Sequence, residues 1–176
     1  MTTLYKKDVA LRVRTLGAHE WPLYRALRLR ALSDAPAAFG STLAEEETRC
    51  DEDWAWRLNL GATSGRDRPL VAEMAGVEVG LAWAKVDAAD PSCVNLFQVW
   101  VAPVARRHGA AALLLDAALD WARARRARAM QLGVVCGNDA ARRLYERAGF
   151  REVGQPGPQR PGSDRMEQMM RLALGD

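Results

Sequence analysis

The sequence predicts an α/β protein in which parallel strands are joined through helices and antiparallel strands lie beside them. Three observations carry this reading. Residues 95–154 run strand, glycine-bearing turn, helix, strand, helix, strand, and two strands joined through a crossover helix form a parallel pair. Leu70–Met74 and Val77–Val86 are strand-like runs meeting at Ala75-Gly76, a tight turn that makes them antiparallel neighbours. The chain has 176 residues with 49% hydrophobic and 27% charged content, which suits one domain over residues 1–176 with one sizeable core.

Taken in order, Val9–Thr15 alternates Val9, Leu11 and Val13 with Arg12 and Arg14, a half-exposed first strand. His19–Leu32 places Leu23, Leu27 and Ala31 at four-residue steps, a helix ended by Ala35-Pro36. A loop at 38–42 leads into the acidic run Glu45-Glu46-Glu47. A second helix, Asp51–Leu60, carries Trp54 and Leu58 on one face and is closed by Gly61. After the 70–86 hairpin, Asp87–Pro91 turns into Leu96–Val101, an apolar run interrupted by Gln98 and stopped by Pro103. Ala110–Ala127 is rich in strong helix formers, with Leu114, Leu115, Ala118, Leu119 and Ala122 on one face. Met130–Val135 is a buried strand. The helix after it has Asn138 as N-cap and Gly149 just past its end. Phe150–Val153, a Pro/Gly loop at 154–163 and the strand Met166–Leu172 complete the order βααβββαβαββ.

The turn between the 96–101 strand and its helix has the chemistry of a phosphate site. A helix start leaves free N–H donors and a partial positive charge. Gly109 lets backbone approach a bulky anion, and Arg106 and Arg107 add charged donors. By itself, a glycine beside arginines at a helix start equally describes a solvated surface turn. Likewise Tyr145 shares an apolar helix face with Ala141, Leu144 and Ala148, as a packed core tyrosine would.

Two motifs add to this. Val101-x-Pro103-x-x-Arg106-x-x-Gly109-x-Ala111-x-x-Leu114 resembles the acetyl-CoA pyrophosphate loop of the GCN5-related N-acetyltransferases (GNAT). Asn138-x-x-Ala141-x-x-Leu144-Tyr145-Glu146-x-x-Gly149-Phe150 resembles the second signature of that family at the expected distance downstream. The two in this order and spacing are specific, and they cover about a third of the chain, within residues 95–154. The resemblance implies the acyl-CoA N-acyltransferase fold: one mixed central sheet flanked by helices, its central strand and the next parallel strand splaying apart around the cofactor. It implies an N-acetyltransferase that takes acetyl-CoA as cosubstrate and acetylates a primary amine of a small molecule or peptide by direct attack, without an acyl-enzyme.

The same resemblance assigns roles. Backbone groups of Val99, Trp100 and Val101 would pair with the pantetheine arm, and the N–H groups of Arg106, Arg107, His108, Gly109, Ala110 and Ala111 would hold the pyrophosphate. Ala110 and Ala111 stand where relatives often have a branched residue and a second glycine, which implies a slightly tighter pocket. His108 is expected beside the phosphates or in solvent. Asn138 and Ala141 would touch the cofactor, Asn138 also capping its helix, and Tyr145 would be the general acid for the departing thiolate. No carboxylate lies between Val94 and Val101, where some relatives place a base; Gln98 is there instead. Glu45, Glu46, Glu47 and Asp87 are the nearest candidates, with a water chain as the alternative, and an acidic loop would attract a cationic acceptor. Trp21, Tyr24, Phe39, Trp54 and Trp56 crowd the acceptor rim of relatives; one exposed among them would suggest an apolar or aromatic acceptor.

Composition narrows the remaining classes. The net charge of +3 and pI near 9.0 are compatible with an anionic cofactor but too weak to argue for nucleic acid. Lys6, Lys7 and Lys85 are the only lysines among 25 basic residues, and isoleucine is absent, a coding bias rather than a chemistry. Arg123, Arg125, Arg126 and Arg128 stand at a helix C-terminus, where cations offset the dipole, without aromatic interleaving. Cys50, Cys93 and Cys136 at wide spacing, with two histidines, give neither a disulfide framework nor a metal site. With no signal-like or membrane-spanning apolar run, the expected compartment is the cytoplasm. Rival readings are a non-catalytic acyl-CoA sensor, a nucleic-acid-binding module and, within the class, a protein acetyltransferase. Dimers are frequent in the family, so the resemblance admits a homodimer.

Overall fold

The computed structural model describes residues 10–175. Its elements are β1 (Leu11–Thr15), α1 (Trp21–Asp34), α2 (Leu43–Glu47), α3 (Asp51–Thr63), β2 (Asp67–Met74), β3 (Val77–Val86), β4 (Cys93–Val101), α4 (Ala110–Ala124), β5 (Ala129–Val135), α5 (Asp139–Arg147), β6 (Arg151–Glu152), β7 (Gly157–Pro158) and β8 (Met166–Ala173). Val9, placed in the first strand from sequence, lies outside the described residues. The strands form one eight-stranded sheet in the order β1-β2-β3-β4-β5-β8-β6, with β7 also paired to β8. Among the described residues only β4 and β5 run parallel, so the sheet is mixed, as expected.

Two elements exceed the predicted order. Helix α2 forms because Thr42 and Glu45 close a capping box: Glu45 N–H donates to Thr42 Oγ1 at 3.2 Å, and Thr42 N–H to Glu45 Oε2 at 2.9 Å. Strand β7 forms because Gly157–Pro158 lies antiparallel to Met166–Glu167. Helix α1 starts two residues later than predicted, behind a 3₁₀ turn at Ala18–Glu20, with Pro22 in its first turn. Helix α3 runs through Gly61 rather than ending there. A Cβ at 61 would overlap the Trp83 indole, so this glycine serves close packing, not termination.

Helices cover both faces of the sheet. Trp83 of β3 meets Gly61 of α3 and Tyr24 of α1, whereas Gly80 faces Leu114 of α4. Residues three apart on a strand point to opposite faces, so α1 and α3 lie across the sheet from α4. The predicted apolar stripe of α4 is buried in full. Tyr24 and Trp54 pack edge to face at 5.5 Å between centroids within the α1–α3 layer.

The sheet is irregular at its centre. Strand β4 pairs with β5 only through Cys93, Val94 and Asn95, opposite Ala129, Met130 and Gln131; beyond them the strands part. On its other edge, β4 opposes β3 at Leu81↔Trp100 and Trp83↔Phe97, so Gln98 and Val99 together face Ala82. This is a β-bulge, and Gln98 sits at φ 58°, a left-handed backbone that bends the strand where β4 and β5 part.

Candidate active site

The parting strands enclose a cavity of about 430 Å³, walled by residues 95–99 of β4 and 131–135 of β5. Helix α5 contributes Asn138, Ala141 and Tyr145; Arg28, the loop at 38–41, Gln159, Glu167 and Met169 complete it. Once β5 departs, the β4 edge facing the cavity has no strand partner, leaving backbone groups free for a ligand.

The cleft widens toward the carboxyl ends of both strands, where the loop to α4 begins. Arg107 (φ 65°) and Gly109 (φ 89°) are both left-handed, which folds the loop back onto the helix start. A Cβ built on Gly109 meets nothing within 4 Å, so the space above it is open. Among the described residues, the N–H groups of residues 107–112 donate to no backbone carbonyl. Together with the α4 dipole they make an end of the kind that suits an anion. Arg106 plays a different part from the one expected. Its Nε donates to Val101 O at 3.0 Å and its Nη2 pairs with Asp34, which also accepts from Trp100 Nε1 at 2.9 Å. Its side chain therefore pins the loop to α1, while Arg107 and His108 are exposed. His108 Nδ1 lies 2.8 Å from Arg106 O.

The sequence-predicted residues thus fall into three places. Val99, Asn138, Ala141 and Tyr145 line the cleft. Trp100 and Val101 are buried within the sheet. Residues 106–111 form the loop beyond its end, with Ala110 buried under the helix start and Ala111 half-buried. Asn138 caps α5, its Oδ1 accepting from Ala141 N–H at 3.2 Å, so the two residues are one local unit. Tyr145 is 6% exposed, with its ring 5.8 Å from Phe150 edge to face. Its hydroxyl makes no hydrogen bond among the described residues. Burial raises the phenol pKa, which keeps the proton on it.

Three of the four candidate bases from sequence are engaged elsewhere. Glu45 caps α2, and the Thr42 N–H holds its pKa down. Glu46 is buried between Arg49 and Arg57 at 3.0 Å each, and Glu47 is exposed. Asp87 accepts from Asn95 Nδ2 at 2.7 Å, which lowers its pKa. None of the four lines the cleft. The carboxylate that does is Glu167 of β8, packed against the bare backbone of Gly133, where any Cβ would overlap it. Among the described residues Glu167 has no side-chain hydrogen bond or ion pair, and burial raises its pKa. A readable signal existed: an isolated glycine inside the strand 130–135 marks a close approach.

The other predicted features resolve simply. Tyr24 and Trp54 are core, Tyr24 donating to Gln98 Oε1 at 3.1 Å; Phe39 lines the cleft; Trp56 is 67% exposed but away from it. Arg125 stacks on Trp121 at 4.6 Å and donates to Gly65 O at 2.9 Å. The three cysteines are unpaired, and burial raises the Cys93 thiol. Among the described residues, no group of three or more His, Cys, Asp or Glu is placed to hold a metal, and no helix is long and apolar enough to cross a membrane.

Known proteins share this architecture. The acetyltransferase (GNAT) family model matches residues 27–150. A mycothiol acetyltransferase of Beutenbergia cavernae is 32% identical over 152 residues, covering 81% of this chain and 46% of that protein. This chain spans about half the length of the curated relatives it matches. Among solved structures, a GNAT-family acetyltransferase of Streptococcus pneumoniae superposes with a TM-score of 0.79 at 24% identity, over 94% of this chain and 100% of that one. The yncA protein of Salmonella typhimurium, solved with its cofactor acetyl-CoA, gives 0.78 at 20% identity, over 95% of each chain.

Proposed function

This chain belongs to the GNAT acetyltransferase family, and from that premise we propose that it transfers an acetyl group from acetyl-CoA to a primary amine in the β4–β5 cleft. The observation that carries this reading is the parting of β4 from β5 beside a loop whose N–H groups are unclaimed, with Tyr145 on the cleft wall. The loop from Arg107 to Ala111 would take the pyrophosphate on its backbone N–H groups, with Arg107 as the available guanidinium. The free edge of β4 at Val99 would pair with the pantetheine arm, and Asn138 and Ala141 would pack beside it. Tyr145 and Glu167 both line the cavity in which the thioester would then lie.

The chemistry then needs three proton movements. Glu167 takes a proton from the acceptor ammonium, a task its raised pKa suits. The neutral amine forms the new C–N bond, the C–S bond breaks, the Tyr145 hydroxyl gives its proton to the departing thiolate, and the proton that the nitrogen sheds on becoming an amide restores the Tyr145 hydroxyl. The cysteines have no part in this sequence. The same reading treats residues 1–176 as one transferase domain. The loops facing the cleft are tied together, Gln159 Nε2 to Ala37 O at 3.3 Å and Arg160 Nη1 to Gly40 O at 3.0 Å, which supports a small molecule or a peptide terminus as acceptor.

Thiol release from acetyl-CoA, measured with and without a pooled panel of amines, tests the proposal. Amine-dependent release is the expected result. Tight acetyl-CoA binding without release from any amine would favour a sensor, and no binding would end the reading.

A further inference from the structure

Arg28 is a buried cation with no carboxylate paired to it among the described residues. It is 3% exposed, lines the cleft, and lies over the Phe39 ring 4.8 Å from the centroid. Among the described residues it forms no ion pair, and its Nε and Nη1, closed off from solvent, have no hydrogen-bond partner. The carboxylate whose charge reaches it, Glu46, is already held by Arg49 and Arg57.

A guanidinium does not escape burial by losing its proton. Leaving it unpaired in the interior is among the larger penalties a fold carries, and an apolar side chain of similar size would remove it. The neighbouring buried positions of α1 are apolar or aromatic: Tyr24, Leu27, Ala31 and Leu32. The charge therefore points to a partner that arrives with the ligand. One face of the guanidinium is covered by Phe39, so that partner must meet the N–H groups in the plane, as a carboxylate does. It comes with the acceptor rather than the donor, because the anion-binding N–H groups for the donor lie in the β4–α4 loop. Glu167 on the same cavity supplies the opposite charge.

We infer that the acceptor is a small amine bearing a carboxylate, an amino-acid-like molecule, with its carboxylate on Arg28 and its amine toward Glu167. This rests on the cleft being the acetyl-transfer site. It also predicts that polyamines, which would set cations beside a buried cation, are poor acceptors.

The test uses the full chain loaded with coenzyme A and a panel of α-amino acids, each paired with its carboxamide. Binding is followed by calorimetry and turnover by thiol release with acetyl-CoA. Wild type is expected to favour at least one free acid over its amide by about 10- to 150-fold, the worth of hydrogen bonds to a charged group. Arg28→Met is expected to lose that preference mainly through KM, while coenzyme A affinity is unchanged and Tm is equal or higher. Equal use of acids and amides by wild type, or an equal loss on both in Arg28→Met, overturns the inference. So does binding of coenzyme A with no acid of the panel bound. Failure of coenzyme A itself to bind would instead remove the transferase reading.

Discussion

Replacing Tyr145 by phenylalanine removes one oxygen and leaves the ring where it packs. The ring is 6% exposed and its edge-to-face contact with Phe150 survives the change. The hydroxyl has no hydrogen bond among the described residues, so no protein partner is orphaned. Stability should therefore move by no more than about 1 kcal/mol. Catalysis should move much further. General acid catalysis contributes about 10²- to 10⁴-fold. A thiol with an ordinary pKa of about 8.5 is a fair leaving group unaided, which places the loss at the lower end, about 10²-fold. That corresponds to about 2.7 kcal/mol of transition-state stabilisation. The assay is initial-rate thiol release at saturating acetyl-CoA, with Tm measured on the same preparation. The expected result is a lower kcat, an unchanged KM for acetyl-CoA and an unchanged Tm. Because burial raises the phenol pKa, Tyr145 stays protonated through the usual assay range and gives wild type no alkaline limb of its own. Full activity in Tyr145→Phe would refute the assignment, and a loss that tracked a fall in Tm would reduce Tyr145 to a packing residue.

Other perturbations test the remaining parts. Glu167→Gln should lower kcat/KM by about 10²-fold and flatten the acidic limb of the pH profile. Burial raises the Glu167 pKa, so the folded chain holds that proton more tightly than the unfolded one. Wild type then loses stability as pH rises from the ordinary carboxylate value through the raised one, and the glutamine variant should melt higher only above that window. Glu46→Ala strands Arg49 and Arg57 and should cost about 1–3 kcal/mol by denaturant titration, less than a fully buried pair because both arginines reach solvent. Gly80→Ala places a Cβ 2.7 Å from Trp100 O and 3.3 Å from Val101 Cγ2 and should destabilise by about 1–3 kcal/mol, since backbone cannot move aside as a side chain can. A wild-type melting temperature in Glu46→Ala or Gly80→Ala would contradict the packing described.

What the sequence makes legible is what local physics decides. Val77–Val86 is read to the residue because its turn, Ala75-Gly76, fixes its start. The α4 stripe follows from periodicity, and the α5 cap from Asn138 standing three residues before Ala141. What escapes depends on distant parts meeting. Gly61 reads as a helix stop and is instead the space for Trp83, 22 positions away in the chain. Helix α2 had its capping box in Thr42 and Glu45, but it has no apolar periodicity, since its buried face is Glu46 against arginines. The site divides the same way. The loop at 106–111, Asn138 and Tyr145 belong to contiguous motifs. Arg106 turning to Asp34, Glu167 lying over Gly133 and Arg28 reaching the cleft each join segments far apart in the chain, and no local pattern announces them.

The measurement that bears most directly on direct transfer in this cleft is a single-turnover quench with enzyme in excess over acetyl-CoA, in the presence of a competent amine, read by mass spectrometry. Direct attack predicts N-acetylated amine and free thiol appearing together in equal amounts, with the protein mass unchanged at every time and the course unaltered in Cys93→Ser and Cys136→Ala. An acetylated protein that forms before the product and decays into it would contradict the mechanism.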